Sequence, residues 1–341
     1  MTSAQRQPHT PTSEGTTMRA VVSDVYGEAA DVLRVEQVER PAPGPGEVLI
    51  RVQAAGVDQG VWHVMAGLPY PIRLAGYGLR TPRTRVRGSN VAGVVETVGE
   101  GVTTVRPGDD VFGVGEGAFA EYAVAPEAKL CRTPAGLPAR VAAAVPVSGI
   151  TALQAVRDHG RVQPGQRVLV LGAGGGVGSF AVQIAKAHGA DVTAATSRSK
   201  TDLARALGAD AVLDYTREDV TDGRQTYDVV LDVGGNRPLR QLRRALTPRG
   251  TLVIVGGETD GRWLGGTERL VRAMLLNPFV GQTLRSFVAS ENAADLAVLA
   301  GLIESGEITP AVDRSFPLAE AAAAIEYLRA GKARGKVVLE I

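Results

Sequence analysis

The segment Gly172-Ala173-Gly174-Gly175-Gly176-Val177-Gly178 constrains this chain more than any other. A short apolar run, Val168–Leu171, precedes it. The stretch Val177–His188 follows, with Val177, Ala181, Ile184 and Ala185 at helical spacing. Glycines between a strand and a helix let the main chain turn sharply and approach a phosphate, and let the helix pack tightly on the strand. The helix N-terminus then offers free N–H groups and the positive end of its dipole to an anion. Ala173, Gly174, Gly175, Gly176, Val177 and Gly178 are therefore expected to bind a dinucleotide pyrophosphate. Ala173 stands where the fingerprint usually has its first glycine.

The surrounding pattern supplies the context that the loop needs. Beyond Pro146, strands and helices alternate: strand Asp191–Ala195, helix Thr201–Leu207 stopped by Gly208, strands Ala211–Asp214 and Asp228–Val233. A helix from Asn236 to Leu246, with Pro238 in its first turn, and a strand Thr251–Val255 continue the series. Such alternation predicts a Rossmann-type, doubly wound parallel sheet covered on both faces. From Met18 to about Leu137 the pattern differs. Short apolar runs, including Met18–Ser23, Glu47–Ala54, Val91–Val98 and Asp110–Phe112, are broken by turns such as Pro43-Gly44-Pro45-Gly46. That predicts a mostly β domain. Helices are expected over Ala293–Ser305 and Leu318–Ala330. A closing strand, Lys336–Ile341, is expected to return to the first domain and leave a cleft between the two. The expected layout is a disordered lead over 1–17, a mostly β domain over 18–140 completed by 290–341, and a cofactor domain over 141–289.

The end of the second cofactor-domain strand selects the cofactor. An NAD site places Asp or Glu there for the ribose hydroxyls. This chain has Thr196-Ser197-Arg198-Ser199-Lys200. No carboxylate repels a 2′-phosphate, and Ser197, Arg198 and Lys200 are suited to bind one, with Tyr215 adding a hydroxyl. NADPH is the expected cofactor.

Composition narrows the class further. The 341 residues carry a net charge of +1, which implies no basic face for nucleic acid. No apolar run reaches the roughly 18 residues of a membrane-spanning helix. The polar first 17 residues contain no apolar core and do not read as a signal peptide. The single cysteine, Cys131, forms no internal disulfide and suits a reducing cytoplasm.

Several blocks in order, GSNVAGVVETVG (Gly88–Gly99), VRPGDDVF (Val105–Phe112), FAEYAV (Phe119–Val124), VPVSGITA (Val145–Ala152), the glycine loop and the closing Gly335-Lys336-Val337-Val338-Leu339, resemble the medium-chain dehydrogenase/reductase superfamily. Within it the chain resembles the zinc-free quinone oxidoreductase and enoyl reductase branch. The resemblance implies a GroES-like catalytic domain beside the Rossmann domain. The zinc ligands of related enzymes correspond here to Asp58, Ser89-Asn90 and about Ala143, so no metal is expected. It also implies a nicotinamide near Ser148 and Thr151, with the loops Val233-Gly234-Gly235-Asn236 and Val255-Gly256 and also Lys336 on the cofactor side. The stretch from Asp58 to Tyr77 is placed at the cleft mouth. Tyr70 resembles a tyrosine on the nicotinamide side and is the candidate donor to a substrate oxygen. Asp58 is open between a proton relay and a helix cap. Trp62, Tyr77 and Trp263 are candidate pocket residues, and His63 reads as structural. The strand LRSFVA (Leu284–Ala289) implies a homodimer. The implied function is NADPH-dependent reduction of a quinone or a conjugated enone or enal. The alternatives are a cofactor-binding regulator or RNA binder, and an NADP-dependent alcohol dehydrogenase.

Overall fold

The computed structural model describes residues 16–235, 237–256, 261–266 and 268–341. Most of the expected disordered lead, residues 1–15, lies outside these. Thr17 already belongs to strand β1 (Thr17–Val22), which pairs antiparallel with β2 (Arg34–Glu39).

The first large sheet is organised by β3 (Glu47–Val57), whose alternating buried side chains sit at the domain centre. β4 (Asn90–Val98) lies along β3 and continues through β5 (Asp110–Val114). β6 (Tyr122–Pro126) also pairs with β3, and β7 (Leu130–Arg132) pairs with β5. These strands are antiparallel, as short runs joined by Gly/Pro turns allow.

The second sheet is the doubly wound one. It contains β8 (Arg167–Leu171), β9 (Asp191–Thr196), β10 (Ala211–Asp214), β11 (Tyr227–Asp232), β12 (Leu246–Ile254) and β13 (Thr283–Ser286). Every pairing is parallel, in the order β10-β9-β8-β11-β12-β13. Val168, Leu169, Val170, Val192, Ala194, Val230 and Leu231 are buried, as strands covered on both faces require. The chain order reverses between β8 and β11, which opens a crevice at the carboxyl ends of the strands.

The tail then leaves this sheet. β14 (Val312–Pro317) runs parallel to β15 (Lys336–Glu340), and β15 lies antiparallel to β3. Val337 therefore faces Val57, and Lys336 stands at the seam between the sheets. Helix Pro146–Gln154 fills that seam, with Ile150 and Leu153 buried in one core with Phe112, Phe180, Ile184 and Leu299.

Three expected elements change. The helix placed over 236–246 spans Leu239–Arg244, because Pro238 is extended (φ −60°, ψ 139°) and caps it from outside. Leu246 is buried and opens β12. The helix over 318–330 divides into a 3₁₀ turn, Leu318–Glu320, and an α-helix, Ala321–Arg329. Strand LRSFVA ends at Ser286, the partner of Ile254 at the end of β12. Beyond it Val288 is 94% exposed.

Candidate active site

The glycine turn closes β8 and opens helix Gly176–Ala187. Gly172 has φ +82°, a conformation that favours glycine. A Cβ on Gly178 would lie 2.1 Å from the Gly172 carbonyl oxygen, so only glycine lets the helix start this close to the strand. A Cβ on Gly174 would press into Thr196 and the Lys200 side chain. The turn thus forms a backbone cradle at a helix N-terminus, and its geometry fits a pyrophosphate.

A cleft of about 370 Å³ opens over this cradle. Ser148, Thr151, Gly174, Gly175, Gly176, Val177, Ser197, Lys200, Tyr215, Val233, Val255, Gly256 and Lys336 stand on its wall. Ala173 is fully buried beneath, its N–H donating to the Ala195 carbonyl at 3.1 Å, and Gly178 is buried in the turn. Arg198 is exposed and off the wall. Asn236 lies outside the described residues. At the basic end Lys200 is half-buried, and burial, with Arg334 adding repulsion, holds its pKa below the usual lysine range while Asp313 opposes. The turn after β11 is tied down by Asp232. Its carboxylate accepts from the Gly235 N–H at 3.2 Å and pairs with Arg269.

Lys336 is not the surface lysine that a C-terminal position suggests. It is 2% exposed, and its Nζ donates to Ser148 Oγ at 3.0 Å and to the Val57 carbonyl at 3.3 Å. Burial pushes its pKa down, and the Asp58 carboxylate pushes it back up.

Asp58 caps helix Gln59–Ala66, accepting from the Val61 N–H at 3.1 Å. Its other oxygen accepts from Asn90 Nδ2, and Asn90 Oδ1 accepts from the Val147 N–H at 2.8 Å. Asn90 is fully buried and clamps the cap of one domain to the helix at the seam. The Ala143 carbonyl lies beside Gly56, where a Cβ would meet it at 2.3 Å. The positions corresponding to zinc ligands thus do come together. They present a carboxylate already engaged, an amide and an alanine, which do not fit tetrahedral zinc. Among the described residues no group of three or more His, Cys, Asp or Glu could hold a metal.

Next to the cleft is a larger cavity of about 580 Å³. Asp58, Gly60 and Val147 line both. Tyr77 is on its wall, as are Arg87, Ser89, Lys129 and Glu291. Trp62 is a core residue: it is 8% exposed, and the Arg329 guanidinium lies 3.5 Å from its ring centroid. Tyr70 and Trp263 line neither cavity. They meet edge-on with centroids 5.2 Å apart, while the Tyr70 N–H donates to the Arg262 carbonyl at 2.9 Å. Tyr70 thus joins the two domains by packing. His63 Nδ1 bonds the Leu68 carbonyl at 2.7 Å, a structural contact.

Residue patterns did not reveal the clamp made by Asn90, the place of Arg87 in the cavity wall or the Lys129–Glu291 pair, 2.8 Å apart and 162 positions apart in the chain. Asn90 sits inside the conspicuous Gly88–Gly99 block, which was the available signal. No local pattern announces the other two.

Two family descriptions match: an alcohol dehydrogenase GroES-like domain over residues 44–135 and a zinc-binding dehydrogenase over 207–339. A quinone oxidoreductase of Pseudomonas aeruginosa is 35% identical over 327 residues, covering 92% of this chain and 97% of its own. A chloroplastic quinone-oxidoreductase of Triphysaria versicolor is 30% identical, covering 96% and 99%. The solved quinone oxidoreductase of Coxiella burnetii superposes with a TM-score of 0.81 at 26% identity over 95% of this chain and 99% of that one. A mycobacterial protein in complex with NADPH gives 0.78 at 30% identity, covering 95% and 100%. The chain belongs to the medium-chain dehydrogenase/reductase superfamily, in its quinone oxidoreductase branch. By class it is an NAD(P)H-dependent oxidoreductase with a GroES-like and a Rossmann-type unit, as the residue blocks implied. Among the described residues no helix is long and apolar enough to cross a membrane.

Proposed function

We propose that this protein is a zinc-independent, NADPH-dependent reductase acting on a quinone or a conjugated enone or enal. One observation carries the reading: a glycine-cradled cleft with a basic end adjoins a separate cavity, and Asp58, Gly60 and Val147 line both. The backbone from Gly174 to Val177 holds the pyrophosphate. Ser197, Lys200 and Tyr215 take the 2′-phosphate, and Ser148 with Thr151 flanks the nicotinamide end. When bound, NADPH supplies the hydride. The shared wall, Asp58, Gly60 and Val147, would position a substrate beside the nicotinamide end of the cleft. Asp58 is held by Asn90 and Val61, so it shapes this wall as a cap. The proton that completes the reduction enters from solvent through the cavity. The misfit of the Asp58–Asn90–Ala143 set to zinc supports a mechanism without a Lewis acid.

The test is NADPH oxidation with 1,4-benzoquinone, 3-penten-2-one and 2-propanol-derived acetone, alongside zinc analysis and a chelator. Turnover with the first two, unaffected by chelator, is expected. Reduction of acetone alone, dependent on zinc, would establish the alcohol dehydrogenase instead. RNA retention without turnover would favour the regulatory alternative.

A homodimer forms part of the proposal. β13 is the edge of its sheet, and Val271, Met274, Leu275 and Phe279 nearby are exposed. Light scattering at micromolar concentration should give twice the chain mass.

A further inference from the structure

We infer that the rim of the larger cavity docks on an anionic lipid surface, so that the substrate it receives is a quinone dissolved in the bilayer. This rests on the reductase reading, which makes that cavity the substrate's.

The rim is the segment from Arg73 to Thr84. Gly76, Tyr77, Arg83 and Thr84 line the cavity and are themselves exposed, so the segment borders the opening. Its backbone is braced. Arg73–Tyr77 form a π-helical turn, and the Tyr26 hydroxyl hydrogen is shared between the Tyr77 and Gly78 carbonyls at 2.9 and 2.6 Å. The Arg83 N–H donates to the Tyr77 carbonyl at 2.8 Å and closes a loop that holds Leu79 and Arg80. Yet this loop leaves large apolar side chains in water: Leu74 is 77% exposed and Leu79 66%. The surface continues into the other domain through Tyr70, which meets the Arg73 guanidinium at 5.0 Å and the Trp263 ring at 5.2 Å. Trp263, one of two tryptophans in the chain, is 76% exposed. Apolar groups of this size, exposed on two braced loops beside one opening, mark a surface that an apolar phase covers.

The charges name that phase. No Asp or Glu occurs between Asp58 and Glu96, whereas Arg73, Arg80, Arg83, Arg85 and Arg87 do. Arg85 is neutralised with Arg34 by Asp24 and Glu36. Arg73 is spent on the Tyr26 ring and the Gly67 carbonyl, and Arg87 is buried. Arg80 and Arg83 remain exposed, as does Arg262 beside Trp263. Of the carboxylates lining the cavity, only Glu116 is exposed. Guanidinium groups pair with lipid phosphates, indole rings settle at headgroup level, and leucines enter the acyl boundary. A nucleic acid would engage the arginines and leave Leu74 and Leu79 uncovered. A protein seated here would close the opening, whereas a bilayer is the phase that holds an apolar quinone.

The test uses vesicles of phosphatidylcholine and of an equal mixture with phosphatidylglycerol. Trp62 lies in the core, so a change of tryptophan emission on adding vesicles reports Trp263. At low salt the wild type should partition onto the anionic vesicles about tenfold more strongly than onto the neutral ones, with emission shifted to the blue and quenched by brominated acyl chains. Leu74→Ser combined with Leu79→Ser should weaken partition about tenfold, and Arg80→Ala about fivefold. None of these three residues lines either cavity, so turnover of 1,4-benzoquinone in solution should be unchanged, while turnover of ubiquinone held in the anionic vesicles should fall in step with partition. Should the double leucine variant fail to fold, Leu79→Ser alone takes its place. Absence of partition onto anionic vesicles overturns the inference. So does partition, or retention of an RNA oligonucleotide, that depends on Arg80 but is indifferent to the leucines. Leucine-dependent partition without turnover of either quinone upholds the lipid surface and overturns the reductase reading, and turnover of both quinones without partition does the reverse.

Discussion

The cofactor cleft and the cavity beside it share Asp58, Gly60 and Val147 but are built in opposite ways. The cleft has the glycine turn on one wall, with Gly172, Gly174, Gly175 and Gly176 among its lining residues. Its cradle is one continuous turn, and the proposed cofactor selectivity sits at the end of the next strand. The cavity is assembled from segments far apart in the chain, around Asp58, Tyr77, Arg87, Val114, Lys129 and Glu291. A main-chain site changes little when side chains do, because glycine contributes only space and N–H groups. A side-chain site can be retuned residue by residue. On the proposed reading, cofactor recognition belongs in the first and substrate choice in the second.

The sharpest way to break this comparison is to add atoms to the cradle. Gly178→Val drives a side chain into the Gly172 carbonyl, 2.1 Å from the position of its Cβ. A loss of about 3 kcal/mol or more is expected, together with NADPH binding. Denaturant unfolding and a fluorescence titration would check both, and a folded variant with intact affinity would show that the cradle is not the site.

A smaller effect should separate the two cations of the Ser197–Lys200 segment. Lys200 is on the wall and half-buried, whereas Arg198 is exposed. Lys200→Ala should weaken NADPH about tenfold to a hundredfold, the worth of one charged hydrogen bond, and barely affect NADH. Arg198→Ala should cost less. Equal losses for both cofactors would remove the 2′-phosphate from this end.

Lys336 sharpens the boundary between cleft and core through pH. Burial depresses its pKa in the folded state below the ordinary value of 10.5. Between those two values the unfolded chain binds more protons, so wild-type stability should rise with pH across that window. Lys336→Met removes the titration. Its stability relative to wild type should be most favourable near neutral pH and should decline as pH approaches 10. Parallel curves from urea unfolding at pH 7 and pH 10 would contradict the desolvation of Lys336.

The smallest effect belongs to Tyr70. A positioned acid contributes about 10²–10⁴-fold. Tyr70 packs on Trp263 outside both cavities, so Tyr70→Phe should leave kcat within about twofold. A tenfold fall in turnover with unchanged NADPH affinity would return the hydroxyl to the chemistry.

These contrasts also mark what could be read before the fold was known. Alternation of strand and helix, the loop Gly172–Gly178 and the carboxylate-free segment Ser197–Lys200 were legible, because each encodes its structure within a few consecutive residues. Sequence alone therefore determined the parallel sheet and the glycine turn that opens helix Gly176–Ala187. Asp58 as a cap was also within reach, since a cap acts on N–H groups three residues away. Only the tertiary structure decided that Lys336 is buried against Ser148, 188 positions away, and that Asn90 ties Asp58 to Val147. It also decided that Trp62 belongs to the core while Arg87 lines a cavity. Burial and partnership between distant segments depend on how sheets and helices pack. That packing is a property of summed apolar contacts across the whole chain, and no local pattern of residues carries it.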